Sequence, residues 1–253
     1  MTNLLERAVR PYPSPNHDAR SAERAIDILL LHYTGMASSE AALARLADPT
    51  AKVSAHYLID EAGEVYALVP EARRAWHAGL ASWQGASDIN GRSIGIELAN
   101  SGHDGGLPPF AEAQMARLIA LAQDIVARHR IPPGRVLGHS DVAPSRKQDP
   151  GERFDWARLA CAGLGLWPAA GFAPAATAPA LEPGMAGGAV IDLQIALAAI
   201  GYGIEGSGCF DPGTAAVVAA FQRHFRPRQV DGRADAETTS LIFHLAAQPA
   251  SLP

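Results

Sequence analysis

The chain has 253 residues and a mass of 26.5 kDa, with 48% hydrophobic and 19% charged residues. That is ample apolar material for a packed core and excludes a wholly disordered chain. A net charge of −5, a pI of about 6.0 and the absence of any Lys/Arg run argue against nucleic acid as a partner.

The N-terminal segment carries Glu6 and Arg7 where a secretory leader needs an apolar stretch. No run approaches eighteen apolar residues, so no membrane-spanning segment is expected. The expectation is a cytoplasmic chain, with the periplasm as the alternative, and a monomer. Residues 26–34, IDILLLHYT, read as a strand buried on both faces. SAHYLID (54–60) and EVYALVP (64–70) flank Glu61-Ala62-Gly63, a hairpin-like connection. SIGIELAN (93–100) alternates like a further strand. Across 111–130 the spacing places Met115, Leu118, Ala122, Ile125 and Val126 on one helix face, and Pro132-Pro133-Gly134 stops that helix. VLGHS (136–140) is a short strand running into a polar loop. This alternation predicts an α/β domain, a mixed central sheet flanked by helices, over 1–166.

From 167 to 186 Pro, Ala and Gly dominate and charge nearly vanishes, the composition of a linker. Over 187–247 two helix faces emerge: Val190, Leu193, Leu197 and Ile200, then Val217, Phe221 and Phe225. A weak internal echo sets Asp211 three residues before Thr214 and Asp235 three residues before Thr238, each Asp a helix-cap or turn former. A small all-α three-helix domain follows. Cys161 and Cys209 are too few for a disulfide scaffold and are expected as buried free thiols.

Three places carry chemistry. His32 ends an apolar strand, at a sheet rim where sites are built; bonding to backbone is the plainer alternative. His139 and Asp149 share the segment GHSDVAPSRKQDPG, both are metal-compatible, and they meet only if the loop folds back. Lys147, two residues before Asp149, projects to the same side of an extended backbone. Without a fold-back this is a solvated charged loop. Glu97 lies between Ile96 and Leu98, costly unless paired or aimed into a cleft, although alternation also permits a solvent-facing position. Two His, one carboxylate and a separate Glu are the inventory of a hydrolytic zinc site. HExxH and GxSxG are both absent, which excludes a zincin helix and the serine-hydrolase elbow.

Five ordered segments, LLLHYTG, VSAHYLIDEAGEVYALVPE (53–71), AWHAGLASWQG (75–85), NGRSIGIELAN (90–100) and GHSDVAPSRKQDPG (138–151), resemble the type-2, AmpD-like zinc N-acetylmuramoyl-L-alanine amidases. The resemblance spans nearly all of the first domain. It implies Zn²⁺ held by His32, His139 and Asp149, with Glu97 as the catalytic glutamate and Lys147 helping to polarise the carbonyl. Trp76, His77 and Asn90 match pocket-wall positions. Related phage and eukaryotic members carry a tyrosine where this chain has Ala55, which leaves the polar role to Glu97 and makes His56 structural. The second domain resembles the peptidoglycan-binding module found beside cell-wall hydrolases. Its four Arg against seven Asp/Glu over 181–253 make it no electrostatic trap for an anionic polymer. The implied reaction is hydrolysis of the amide between N-acetylmuramic acid, in its 1,6-anhydro form, and L-alanine of the stem peptide. The implied partners are peptidoglycan or soluble muropeptides. A non-catalytic peptidoglycan receptor is the rival reading, and the three filled ligand positions weigh against it.

Overall fold

A computed structural model describes residues 9–21, 24–174 and 179–248. The first domain runs β1 (Val9–Pro11), β2 (His17–Ala19), β3 (Ile28–Tyr33), α1 (Ser39–Ala47), β4 (Tyr57–Ile59), β5 (Val65–Ala67) and β6 (Arg73–Ala75). It continues with α2 (Ile89–Arg92), β7 (Ser93–Leu98), α3 (Glu112–His129), β8 (Val136–Gly138), α4 (His139–Val142) and α5 (Trp156–Cys161). Six strands form a mixed sheet in the order β1-β5-β4-β7-β3-β8, and β2 pairs with β6 apart from it. The pairs β4–β7, β7–β3 and β3–β8 are parallel, while β4–β5 is the antiparallel hairpin read from 54–70.

Alternation along the central strands explains the layers. Leu29 and Leu31 of β3, with Ile94, Ile96 and Leu98 of β7, face Met115, Leu118, Ala122 and Ile125 of α3 and Trp156 and Leu159 of α5. Ile28 and Leu30 face the opposite side. There they join a core that continues into the second domain, α6 (Gly188–Ile200), α7 (Pro212–Phe225) and α8 (Ala236–Ala246). Val190, Leu193, Leu197, Ile200, Val217, Phe221 and Phe225, the faces expected from spacing, are all buried in it. Trp83, Ile89, Leu137 and Val142 of the first domain belong to the same cluster.

Several elements differ from the sequence reading. The strands β1, β2 and β6 are three residues each, too short to show a period. Helix α1 is capped by Ser38, which accepts from Ala41 N–H, and it covers a satellite core around Leu58 and Leu68. The polar loop expected after β8 opens with one helical turn, α4, because Asp141 accepts the Gly138 N–H at 2.8 Å. Part of the expected linker, 175–178, lies outside the described residues. On either side of it Trp167, Phe172 and Leu181 pack on the second domain's core. Cys161 and Cys209 are free but exposed, not buried: the first ends α5 and the second lies in the turn before α7, so neither faces a core.

Candidate active site

Parallel strands deliver their C-terminal ends to one edge of a sheet, where ligands are commonly bound. Here β7, β3 and β8 lie side by side, and their ends carry Glu97, His32 and, in the first residue of α4, His139. His32 pairs in register with Glu97. Asp149 returns from the following loop, and Ser140 N–H donates to its carbonyl at 2.9 Å, tying the fold-back to α4. All four line a cavity of about 480 Å³ together with Tyr33, Trp76, His77, His103, Arg146 and Lys147.

Three ligand-type atoms converge at its base. His32 Nδ1 lies 2.9 Å from Asp149 Oδ2 and 3.0 Å from His139 Nδ1, and His139 Nδ1 lies 3.1 Å from Asp149 Oδ2. The surrounding bonds fix the tautomers. His139 Nε2–H donates to the Ala78 carbonyl at 3.0 Å, which leaves Nδ1 bare. Ser93 Oγ–H is committed to the Ile89 carbonyl at 2.6 Å, so Ser93 Oγ accepts from His77 Nε2–H. His77 Nδ1 then accepts from His32 Nε2–H at 3.1 Å, and His32 Nδ1 is bare as well. Burial, with His139 adding, pushes His32 down to about 4, and burial likewise holds His77 well below the ordinary value. Both shifts favour the neutral imidazole. Two imidazole lone pairs and a carboxylate oxygen at this spacing repel one another unless a cation lies between them. Among the described residues this triad is the group of His, Cys, Asp and Glu side chains arranged to hold a metal ion.

Glu97 stands beside the triad. Its Oε2 is shut off from solvent and has no hydrogen-bond partner. Burial holds its carboxyl well above the usual carboxylate range; the Asp149 charge adds to this and Lys147 opposes it. A carboxyl raised in this way holds a proton more readily than an exposed one, as a group that takes and returns a proton must.

Trp76 and His77 line the cavity, but Asn90, expected beside them, does not. It is buried behind the wall, where its Oδ1 accepts the N–H groups of His77 at 3.0 Å and Ala78 at 2.8 Å. One amide thus fixes the residues that hold His32 and His139. His56 is fully buried; its Nδ1 accepts Gly95 N–H at 2.9 Å and Arg20 lies against its Nε2. Ala55 is also buried, so no phenol approaches from that position. Sequence reasoning missed the chain Tyr33 Oη–His103 Nδ1 (2.9 Å) and His103 Nε2–Glu152 Oε2 (3.0 Å) at the rim. It also missed Arg146, which braces the Ala78 and Leu80 carbonyls. Tyr33 ends β3, but its partners and Arg146 lie in polar turns, where pairing leaves no periodic mark.

Residues 22–152 match the N-acetylmuramoyl-L-alanine amidase family, and residues 186–242 match a peptidoglycan binding domain. The chain belongs to the N-acetylmuramoyl-L-alanine amidase family. It is 40% identical to the N-acetylmuramoyl-L-alanine amidase AmiD of Escherichia coli K12 over 238 residues, 88% of this chain and 83% of that protein. Identity to the 1,6-anhydro-N-acetylmuramyl-L-alanine amidase AmpD of Enterobacter cloacae is 37%, covering 59% of this chain and 87% of the relative. The fold superposes with a TM-score of 0.75 on E. coli AmiD solved with anhydro-N-acetylmuramic acid-L-Ala-D-gamma-Glu-L-Lys. That likeness covers 92% of this chain and 94% of the other at 37% identity. In this amidase the family segments and the converging triad coincide.

Proposed function

We propose that the chain hydrolyses the amide between 1,6-anhydro-N-acetylmuramic acid and L-alanine of a soluble muropeptide, with Zn²⁺ as its metal. The observation that carries this reading is the triad of bare donors set beside Glu97, whose buried Oε2 has no hydrogen-bond partner. Zinc is favoured because four donors about 2.0 Å from an ion stand roughly 3.3 Å apart on a tetrahedron, near the spacings within the triad. Calcium, with six to eight oxygens at about 2.3–2.6 Å, suits neither the nitrogen donors nor that spacing. The shorter relative AmpD is a 1,6-anhydro-N-acetylmuramyl-L-alanine amidase, and AmiD, which matches over nearly the whole chain, is solved with an anhydro-N-acetylmuramic acid peptide.

Bound zinc supplies Lewis acidity to a carbonyl and lowers the pKa of a water. The chain's own residues do the rest. Glu97 accepts the proton of the attacking water at its carboxylate and returns it to the leaving amide nitrogen, so the amine departs neutral. The Lys147 ammonium offsets negative charge developing on the carbonyl oxygen. His77, Asn90 and the Ala78 carbonyl hold the two imidazoles in one tautomer throughout. Among the described residues the second domain contributes none to the cavity, and with its excess of acid it holds wall fragments by shape and hydrogen bonding.

The test is an end-point digest. Zinc-loaded protein is given soluble anhydro-muropeptide and intact sacculi separately, and products are read by mass spectrometry. Stem peptide released from the soluble substrate is the expected result. No release from either, with zinc bound, overturns the reading in favour of a non-catalytic binder.

A further inference from the structure

Asp141 is buried in α4, two residues beyond His139. Its Oδ2 accepts Gly138 N–H at 2.8 Å, which closes the turn that presents the imidazole. Its remaining donors come from the second domain. The Tyr202 hydroxyl donates to Oδ1 at 2.8 Å, and His224 Nδ1–H donates to Oδ2 at 2.8 Å. Tyr202 follows α6 and His224 lies in α7, and both are buried.

Neither donor is free to turn away. Tyr202 packs edge-on against Trp83 with ring centres 5.0 Å apart. His224 stacks on Trp156 at 3.7 Å and on Phe225 at 4.1 Å. A carboxylate shut away from water needs its hydrogen bonds, so Asp141 follows the groups that supply them. One backbone bond also crosses between the domains, Gln84 N–H to the Gly201 carbonyl at 2.8 Å, while within the first domain Ser82 N–H donates to the Val142 carbonyl at the end of α4, also at 2.8 Å. The short helix that bears one ligand, and that grips the Asp149 carbonyl through Ser140, is thus clamped from outside its own domain.

We propose that Tyr202 and His224 are positioning residues for the metal site: through Asp141 the second domain sets the placement of His139 and, through Ser140, of Asp149. This rests on the reading of the triad as a metal site. It gives the appended domain a part in the chemistry separate from holding wall fragments.

The experiment uses the full chain. Zinc affinity is measured by competition with a chelator, and the cobalt(II)-substituted protein is read by its visible d–d absorption. Y202F and H224F each remove one donor and keep the ring contacts. Each is expected to weaken zinc binding about 10-fold or more, within the range of about 10–100-fold seen when groups behind metal ligands are removed, and to alter the cobalt band. H224N, which returns an N–H donor near the Nδ1 position, restores part of the loss. L245A opens the core of the second domain without touching Asp141 and is expected to change neither readout. If one phenylalanine variant fails to fold, the other decides. Wild-type affinity and spectrum in the folded variants overturn the inference, as does an equal loss in L245A. A wild-type chain that binds no zinc overturns the metal reading itself.

Discussion

Glu97 and His32 are cross-strand partners, which puts the proposed proton acceptor and a proposed metal ligand on adjacent strands without help from any loop. Replacing Glu97 by Gln keeps the volume and removes the acid–base function. Turnover should fall about 10²–10⁴-fold while zinc content stays at the wild-type level; a kinetic assay and elemental analysis of one preparation check both. Glu97 stood out in the sequence as a carboxylate inside an apolar alternation, although that alternation also permitted a solvent-facing position. His139 and Asp149 were legible only together with the family segments, since spacing alone left a solvated loop as an open alternative, and His32 alone read equally as a strand-end residue bonded to backbone. Asn90 was misplaced for a physical reason. A buried amide that serves two backbone N–H groups and one that faces a ligand carry the same letter in the same kind of turn.

At the level of elements, β7 meets the site through Gly95. A Cβ there would lie 2.7 Å from ring atoms of His77, so only glycine lets that imidazole lie on the strand. G95A should cost about 1–3 kcal/mol by overpacking and loosen zinc retention, read by urea midpoint and chelator competition. A second junction joins the hairpin to α3. Glu71 accepts from Tyr57 at 2.7 Å, from Arg128 at 2.6 and 2.9 Å and from His129 at 2.7 Å. Burial acts to raise its pKa, but bonds from Arg128, His129 and Tyr57 outweigh it and hold the group at about 2. A carboxyl depressed in the folded state stabilises above its unfolded value and loses that contribution as pH falls. E71Q should therefore cost roughly 1–2 kcal/mol at pH 7, allowing for solvent around Arg128. The difference from wild type should fade between about pH 4.5 and pH 2; denaturation at stepped pH measures it. The helix faces of the second domain were readable from spacing, and so was the echo of Asp and Thr. Both Asp211 and Asp235 cap their helices on the N–H of that Thr. The sense of the echo was hidden in two glutamines. Gln194 binds Gly208 N–H and the Thr214 hydroxyl, and Gln222 binds Gly232 N–H and the Thr238 hydroxyl. Each latches its helix to the loop that follows, and a lone Gln announces no such task.

Across the whole molecule the two domains share one continuous apolar cluster, from Ile28 and Leu30 through Trp83 to Phe221 and Leu245. Composition gave the expectation of a linker at 167–186 but no sign of the docking, because nothing in the local sequence around Trp83, Val142 and Tyr202 marks residues that pack across it. Shared burial predicts shared unfolding. F221A should cost about 3–5 kcal/mol and lower the stability of both domains together, giving a single calorimetric transition. Two separated transitions, with the first domain at its wild-type midpoint, would contradict this.

The two exposed thiols fall one on each side of that boundary, Cys161 at the end of α5 and Cys209 just ahead of α7. Since neither contributes to a core, the native chain already holds a pair of attachment points for a donor and an acceptor dye. Energy transfer between them turns the spacing of the two domains into an optical signal, readable while wall fragments are added and without altering a single codon.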